Sequence, residues 1–171
     1  FFQRRGFSAQ GKTMGMGINL YDFRLPPAVA EMERELAQQG IVVEYFSRDY
    51  LLPTISFLHD CFPTWLCLFT DKLQRNHDLD EMVIARQGEE VVGYCQHRYW
   101  HQAERTGPFG VKAALRGKKI GTLMLYRLLE RMSQKGFRFG WFAQTGERQV
   151  NYYRRVGYQV TRTQVSMVKQ L

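Results

Sequence analysis

The sequence lacks the features that define several large classes of protein. No apolar run approaches the roughly 20 residues needed to span a bilayer, and no secretory leader pattern opens the chain. Cysteine is scarce: Cys61, Cys67 and Cys95 are the only three. Three is an odd number, no C-x-x-C occurs, and no Cys/His group has zinc spacing. The expectation is buried free thiols in a reducing cytoplasm, with no metal site. Neither G-x-x-x-x-G-K-[ST] nor G-x-G-x-x-G is present, which removes the common nucleotide loops. Acidic residues are in deficit, 16 against 24 Lys and Arg, for a net charge of +8. That balance suits an anionic partner such as a polyphosphate cofactor. No nucleic-acid-binding module accompanies it, and there is no long polybasic tail, so neither nucleic acid nor membrane is expected as a partner.

What remains is ordinary for a globular protein. The chain has 171 residues, 44% of them apolar, enough for one domain with a core, or for one domain and a fragment of another. Lys12 to Phe23 reads as a strand, and Pro26-Pro27 breaks it. Val29, Met32 and Leu36 recur at helical spacing before Gly40, and Ile41 to Phe46 is a β-branched and aromatic strand. Ser47 is a candidate N-cap for a helix carrying Leu51, Ile55 and Leu58. Pro63 starts a second helical stretch through Phe69. Met82 to Ala85 and Val91 to Trp100 flank the turn at Gln87-Gly88-Glu89-Glu90 and form a hairpin. His101 to Thr106 reads as a polar loop, and Pro108 to Ala113 as a short extended segment. A helix from Ile120 to Lys135 shows a wide apolar stripe. Strand, short helix and strand follow, at Phe137 to Ala143, Glu147 to Val156 and Tyr158 to Lys169. This order predicts an α+β fold, a mixed sheet with helices on both faces.

One segment carries chemistry. In Phe109-Gly110-Val111 a strand ends; Arg116-Gly117-Lys118-Lys119 is a basic loop; Ile120-Gly121-Thr122 opens the long helix. The first backbone N–H groups of a helix have no internal partners and lie at the positive end of its dipole. Glycines allow close backbone approach, and the basic side chains add charge. Together they describe a pyrophosphate cradle. The alternative reading is a solvated basic turn.

Arg116-Gly117-Lys118-Lys119-Ile120-Gly121 resembles the acyl-CoA motif of the GNAT superfamily of N-acetyltransferases, Gln/Arg-x-x-Gly-x-Gly/Ala. Lys119 stands where that family usually has its first glycine. Gly107-Pro108-Phe109-Gly110-Val111 resembles the family's splayed fourth strand, whose backbone meets the acyl-pantetheine arm, and Val91-Val92-Gly93-Tyr94 its third strand. Tyr152-Tyr153-Arg154-Arg155-Val156-Gly157-Tyr158 resembles the family's Phe-Tyr-x-x-x-Gly-Phe. The resemblance covers about Ile41 to Leu171. It implies a mostly antiparallel central sheet, with acetyl-CoA as co-substrate held by Phe109 to Val111 and by Arg116 to Thr122. The acceptor would be a primary amine of a small molecule or peptide, attacking directly in a ternary complex. It also implies that the Tyr153 phenol protonates the departing thiolate; the alternative for Tyr153 is packing. General-base candidates are His97, His101, Glu104 and Glu147. The acceptor wall is expected within Tyr50 to Asn76 and His101 to Thr106. Trp65, Trp100 and Trp141 are candidates to line that wall, with the core the expected place for each. The competing reading is a catalytically impaired domain acting in acyl-CoA binding or interdomain assembly.

The opening Phe1-Phe2-Gln3-Arg4-Arg5-Gly6-Phe7 resembles Tyr152 to Tyr158, and on the same offset Met16 falls on Met167 and Leu20 on Leu171. The expectation is that residues 1–23 are the tail of a preceding GNAT copy and 24–40 a connector helix, with the acetyltransferase domain at 41–171. Phe2 would then hold the tyrosine position of that first copy, without a hydroxyl.

Overall fold

The computed structural model describes residues 1–75 and 78–169. Asn76, at the edge of the expected acceptor wall, and Leu171, the counterpart of Leu20, lie outside the described residues. The elements run β1 (Phe7–Asn19), α1 (Ala28–Ala37), β2 (Ile41–Tyr45), α2 (Leu51–Cys61), α3 (Leu66–Gln74), β3 (Met82–Gln87), β4 (Glu90–Tyr99), β5 (Gln102–Val111), α4 (Ile120–Gln134), β6 (Phe139–Gly146), α5 (Glu147–Val156) and β7 (Gln159–Lys169). The fold is α+β, with mixed, mostly antiparallel strands. No helix among the described residues is long and apolar enough to cross a membrane. Two compact units form: a middle unit of residues 20–140, and an end unit built from residues 1–19 and 141–171.

In the middle unit, β2, β3, β4 and β5 pair antiparallel in that order. Helices cover both faces. Tyr94 and Ile84 pack with Phe57, Leu58 and Phe69 from α2 and α3. Gly93, the neighbour of Tyr94, points the other way. A Cβ there would lie 2.8 Å from the Met124 sulfur of α4, so the close approach of α4 requires glycine. The whole expected stripe of α4, Ile120, Leu123, Met124, Leu125, Leu128, Leu129 and Met132, is buried. From α1, the Glu33 carboxylate accepts a hydrogen bond from Arg127 Nε of α4 at 2.9 Å.

Three expectations are corrected. The polar segment His101 to Thr106 is a loop only at its start. From Gln102 onward it is β5, because Tyr99 pairs with Gln102 and His97 with Thr106, and ladder pairing outweighs polar composition. Trp100 is not in the core. It sits beside His101 at the hairpin turn, left-handed at φ 51°, and is 63% exposed. Of the cysteines only Cys95 is buried; Cys61 is partly exposed and Cys67 exposed.

A buried ionic cluster lies under the β4–β5 hairpin. Lys72 donates to Glu81 Oε2 and to the His97 carbonyl, both at 2.7 Å, and Arg98 Nε donates to Glu81 at 2.9 Å. The His97 ring is itself fully buried, with Nδ1 at 2.9 Å from the Ala103 carbonyl. Burial pushes its pKa down from 6.5 to about 4. As pH falls below 6.5 the unfolded chain therefore takes the proton first, and stability is lost between pH 6.5 and 4. The full shift corresponds to about 3 kcal/mol. Urea unfolding at pH 7, 5.5 and 4 should show this fall, and His97→Gln should flatten it.

In the end unit the strand order is β6, β1, β7, with β1 antiparallel to β7. Met16 and Ile18 of β1 and Val150 and Val156 of α5 are buried there. Gly157 ends α5 with φ 110° in the left-handed region, where a Cβ would meet Ile18 at 3.1 Å.

Candidate active site

The middle unit holds the expected cofactor segment. β5 delivers it: Phe109 pairs with Cys95, Gly110 with Tyr94 and Val111 with Gly93. Gly110 has a steric reason to be glycine. Phe62 and Trp65 stack with ring centroids 4.1 Å apart, and a Cβ at Gly110 would fall 2.6 Å from Phe62. After Val111, the Lys112 N–H bonds the Val92 carbonyl at 2.8 Å. A helical turn at Ala113–Leu115 follows, and Arg116 Nε reaches back to the Val111 carbonyl at 3.2 Å.

The loop then makes two left-handed steps, Gly117 at φ 84° and Lys119 at φ 67°. Lys119 thus adopts a backbone that glycine takes without steric cost. The residue departs from the family motif while its conformation suits a glycine. Its ammonium is drawn aside to Glu35 of α1, at 2.8 Å. The first hydrogen bond of α4 is Leu123 N–H to the Lys119 carbonyl, at 3.0 Å. The N–H groups of Ile120, Gly121 and Thr122 precede it, in the turn that lacks intrahelical acceptors. Ile120 is buried and anchors this turn, while Arg116, Gly117, Lys118 and Lys119 are exposed. An anion would meet backbone donors, the helix dipole and basic side chains in one place, which fits a pyrophosphate.

Tyr153 belongs to the end unit. It is half-buried on α5, with its ring centroid 4.5 Å from Phe142, 5.1 Å from Tyr152 and 5.8 Å from Tyr158. Gly146, at the N-cap of α5, is extended and brings no side chain to that helix start. Among the base candidates, His97 is sealed in the core, while His101, Glu104 and Glu147 are exposed. A groove of about 390 Å³ opens between α2 and the β3–β4 turn, lined in part by Phe57, Asp60, Glu89, Glu90 and Lys112. Glu89 and Glu90 read in the sequence only as turn residues. Glu35 was also missed, because its contact with Lys119 spans 84 positions and leaves no local pattern.

Residues 42–158 match the model of the Acetyltransferase (GNAT) family, and the chain belongs to that family. No curated protein matches it. Among solved structures, it is similar to a GCN5-related glucosamine N-acetyltransferase region of a fungal multi-domain GH3 β-N-acetylglucosaminidase. That likeness has a TM-score of 0.77 at 18% identity, over 98% of this chain and 22% of the other. It is also similar to a GCN5-related N-acetyltransferase from Sphaerobacter thermophilus, with TM-score 0.71 at 20% identity, over 99% of this chain and 55% of that one. A tandem GNAT protein from the clavulanic acid biosynthesis pathway gives TM-score 0.59 at 12% identity, over 96% of this chain and 55% of that one. At these identities the likeness is one of fold. The chain spans only part of each of these relatives.

Proposed function

We propose that this acyltransferase domain moves an acetyl group from acetyl-CoA to a primary amine by direct attack in a ternary complex. The observation that carries the reading is the start of α4, where two left-handed loop residues present a basic helix terminus. Acetyl-CoA would supply the activated thioester. Backbone N–H groups from Ile120 to Thr122 and the side chains of Arg116 and Lys118 would hold its pyrophosphate. Phe109 to Val111 would offer strand backbone to the pantetheine arm. The Tyr153 hydroxyl would give its proton to the sulfur that leaves. Absence of calorimetric binding at millimolar acetyl-CoA would falsify the cofactor assignment.

Lys119→Gly separates the role of the loop backbone from that of the lysine charge. Relief of the left-handed strain should stabilise the domain by about 1 kcal/mol. The exposed Lys119–Glu35 pair offsets little of that gain. CoA affinity should stay the same or tighten. A loss of ten-fold or more would instead make the Lys119 ammonium a phosphate ligand. Thermal unfolding and calorimetry on the same samples read both quantities.

A further inference from the structure

The pairing of β1 with β7 has an internal two-fold symmetry. Place β1 on β7 so that Phe7 falls on Tyr158 and Thr13 on Gln164. Thr13 and Gln164 are themselves paired and stand on the axis. Eight of the other nine pairs then mirror one another; the terminal pair Phe7–Lys169 has no counterpart. Ala9–Met167 answers Met16–Val160, Gly11–Ser166 answers Gly15–Arg162, and Lys12–Val165 answers Met14–Thr163. The irregularities correspond as well: the register steps over Gln10 in β1 and over its counterpart Thr161 in β7.

The segments leading into the two strands also correspond. A helical turn and a left-handed glycine precede each strand, Gly6 at φ 81° and Gly157 at φ 110°. Phe1 and Phe2 meet at 5.4 Å and 84°, Tyr152 and Tyr153 at 5.1 Å and 69°. Phe2 and Phe7 meet at 5.7 Å and 75°, Tyr153 and Tyr158 at 5.8 Å and 72°.

The surroundings of the two strands differ. Met16 is fully buried, but its counterpart Met167 is only partly covered, and Val165 is 45% exposed. Tyr158 is buried and packs on Phe142 of β6, whereas its counterpart Phe7 is only partly covered, and Phe2, the counterpart of half-buried Tyr153, is 55% exposed. One half of the ribbon lies in a core. The other half shows the same kind of residues to solvent.

We propose that β1 is the closing strand of a second acetyltransferase-fold copy preceding it in the same polypeptide, and that the two copies exchange closing strands. In this chain β1 lies between β6 and β7. The two-fold operation then places β7 between β1 and the other copy's counterpart of β6. The outer edge of β7 is a docking edge for that strand, and Val165, Met167, Phe2 and Phe7 are the apolar surface it covers. The inference rests on family membership and not on acetyl transfer, so it stands or falls separately from that reading.

The test uses the natural polypeptide, expressed from its own start codon, beside the 171-residue chain. Hydrogen exchange by mass spectrometry should protect both alternating sets of amides across 163–169 in the natural polypeptide. Only the set facing β1 should be protected in the shorter chain. Met167→Glu should lower the Tm of the natural polypeptide several times more than that of the shorter chain. Free exchange of one amide set in the natural polypeptide, or equal Tm losses in the two, would overturn the proposal.

Discussion

Replacing Tyr153 with phenylalanine should lower kcat by about a hundred-fold or more, the usual worth of a positioned general acid. KM for acetyl-CoA should change little, because in the proposed role the hydroxyl acts on the departing sulfur and not on the bound phosphates. Only the oxygen is removed, and the ring contacts with Phe142 and Tyr158 remain. Phe2 holds the corresponding place in the Phe1–Phe2–Phe7 group, so a phenylalanine already adopts this geometry within the molecule. Thiol release under steady-state conditions reads the effect. An unchanged kcat would reduce Tyr153 to a packing residue.

The largest loss of stability should come from Lys72→Met. Lys72 and Glu81 are 3% and 2% exposed, 2.7 Å apart. Deleting one partner of a buried pair typically costs about 3–5 kcal/mol, because the other charge stays buried. Arg98 remains bonded to Glu81, which places the expected loss near the lower end. Chemical denaturation measures it directly. The same cluster sets a response to acid. Burial alone would raise the Glu81 pKa, but the hydrogen bond and charge of Lys72, with His97 and Arg98, bring it below the usual 4.5. Its contribution is therefore present above pH 4.5 and is lost as pH falls through the lowered value. Without Lys72 that lowering should largely disappear, and acid unfolding should begin at higher pH.

Much of the architecture was legible because it rests on local rules. The stripe of α4 follows from its period, and the β3–β4 turn from Gly88. The segment from His101 to Thr106 was not legible, since a partner strand and not its own composition makes it β5. Trp100 was misplaced for the same reason: the tight turn between β4 and β5 leaves it no core to enter. At the site, the basic residues and glycines marked the loop. The left-handed backbone of Lys119 could not be read, because lysine does not advertise positive φ. Its tether to Glu35 is a contact between distant positions, invisible to spacing.

The pairing of Phe7 with Lys169 also bears on the order of events during synthesis. Such a non-local pair forms late, since a long loop must close before the ladder repays it. The middle unit has all its strands by Val111 and its main covering helix by Gln134, so it can collapse while the rest is still being made. β1 is made before the middle unit and β7 after it, so the β1–β7 ladder must wait until that unit has been synthesised. Until then the apolar Met14, Met16 and Ile18 of β1 lack the β7 ladder and are a stretch for a chaperone to cover.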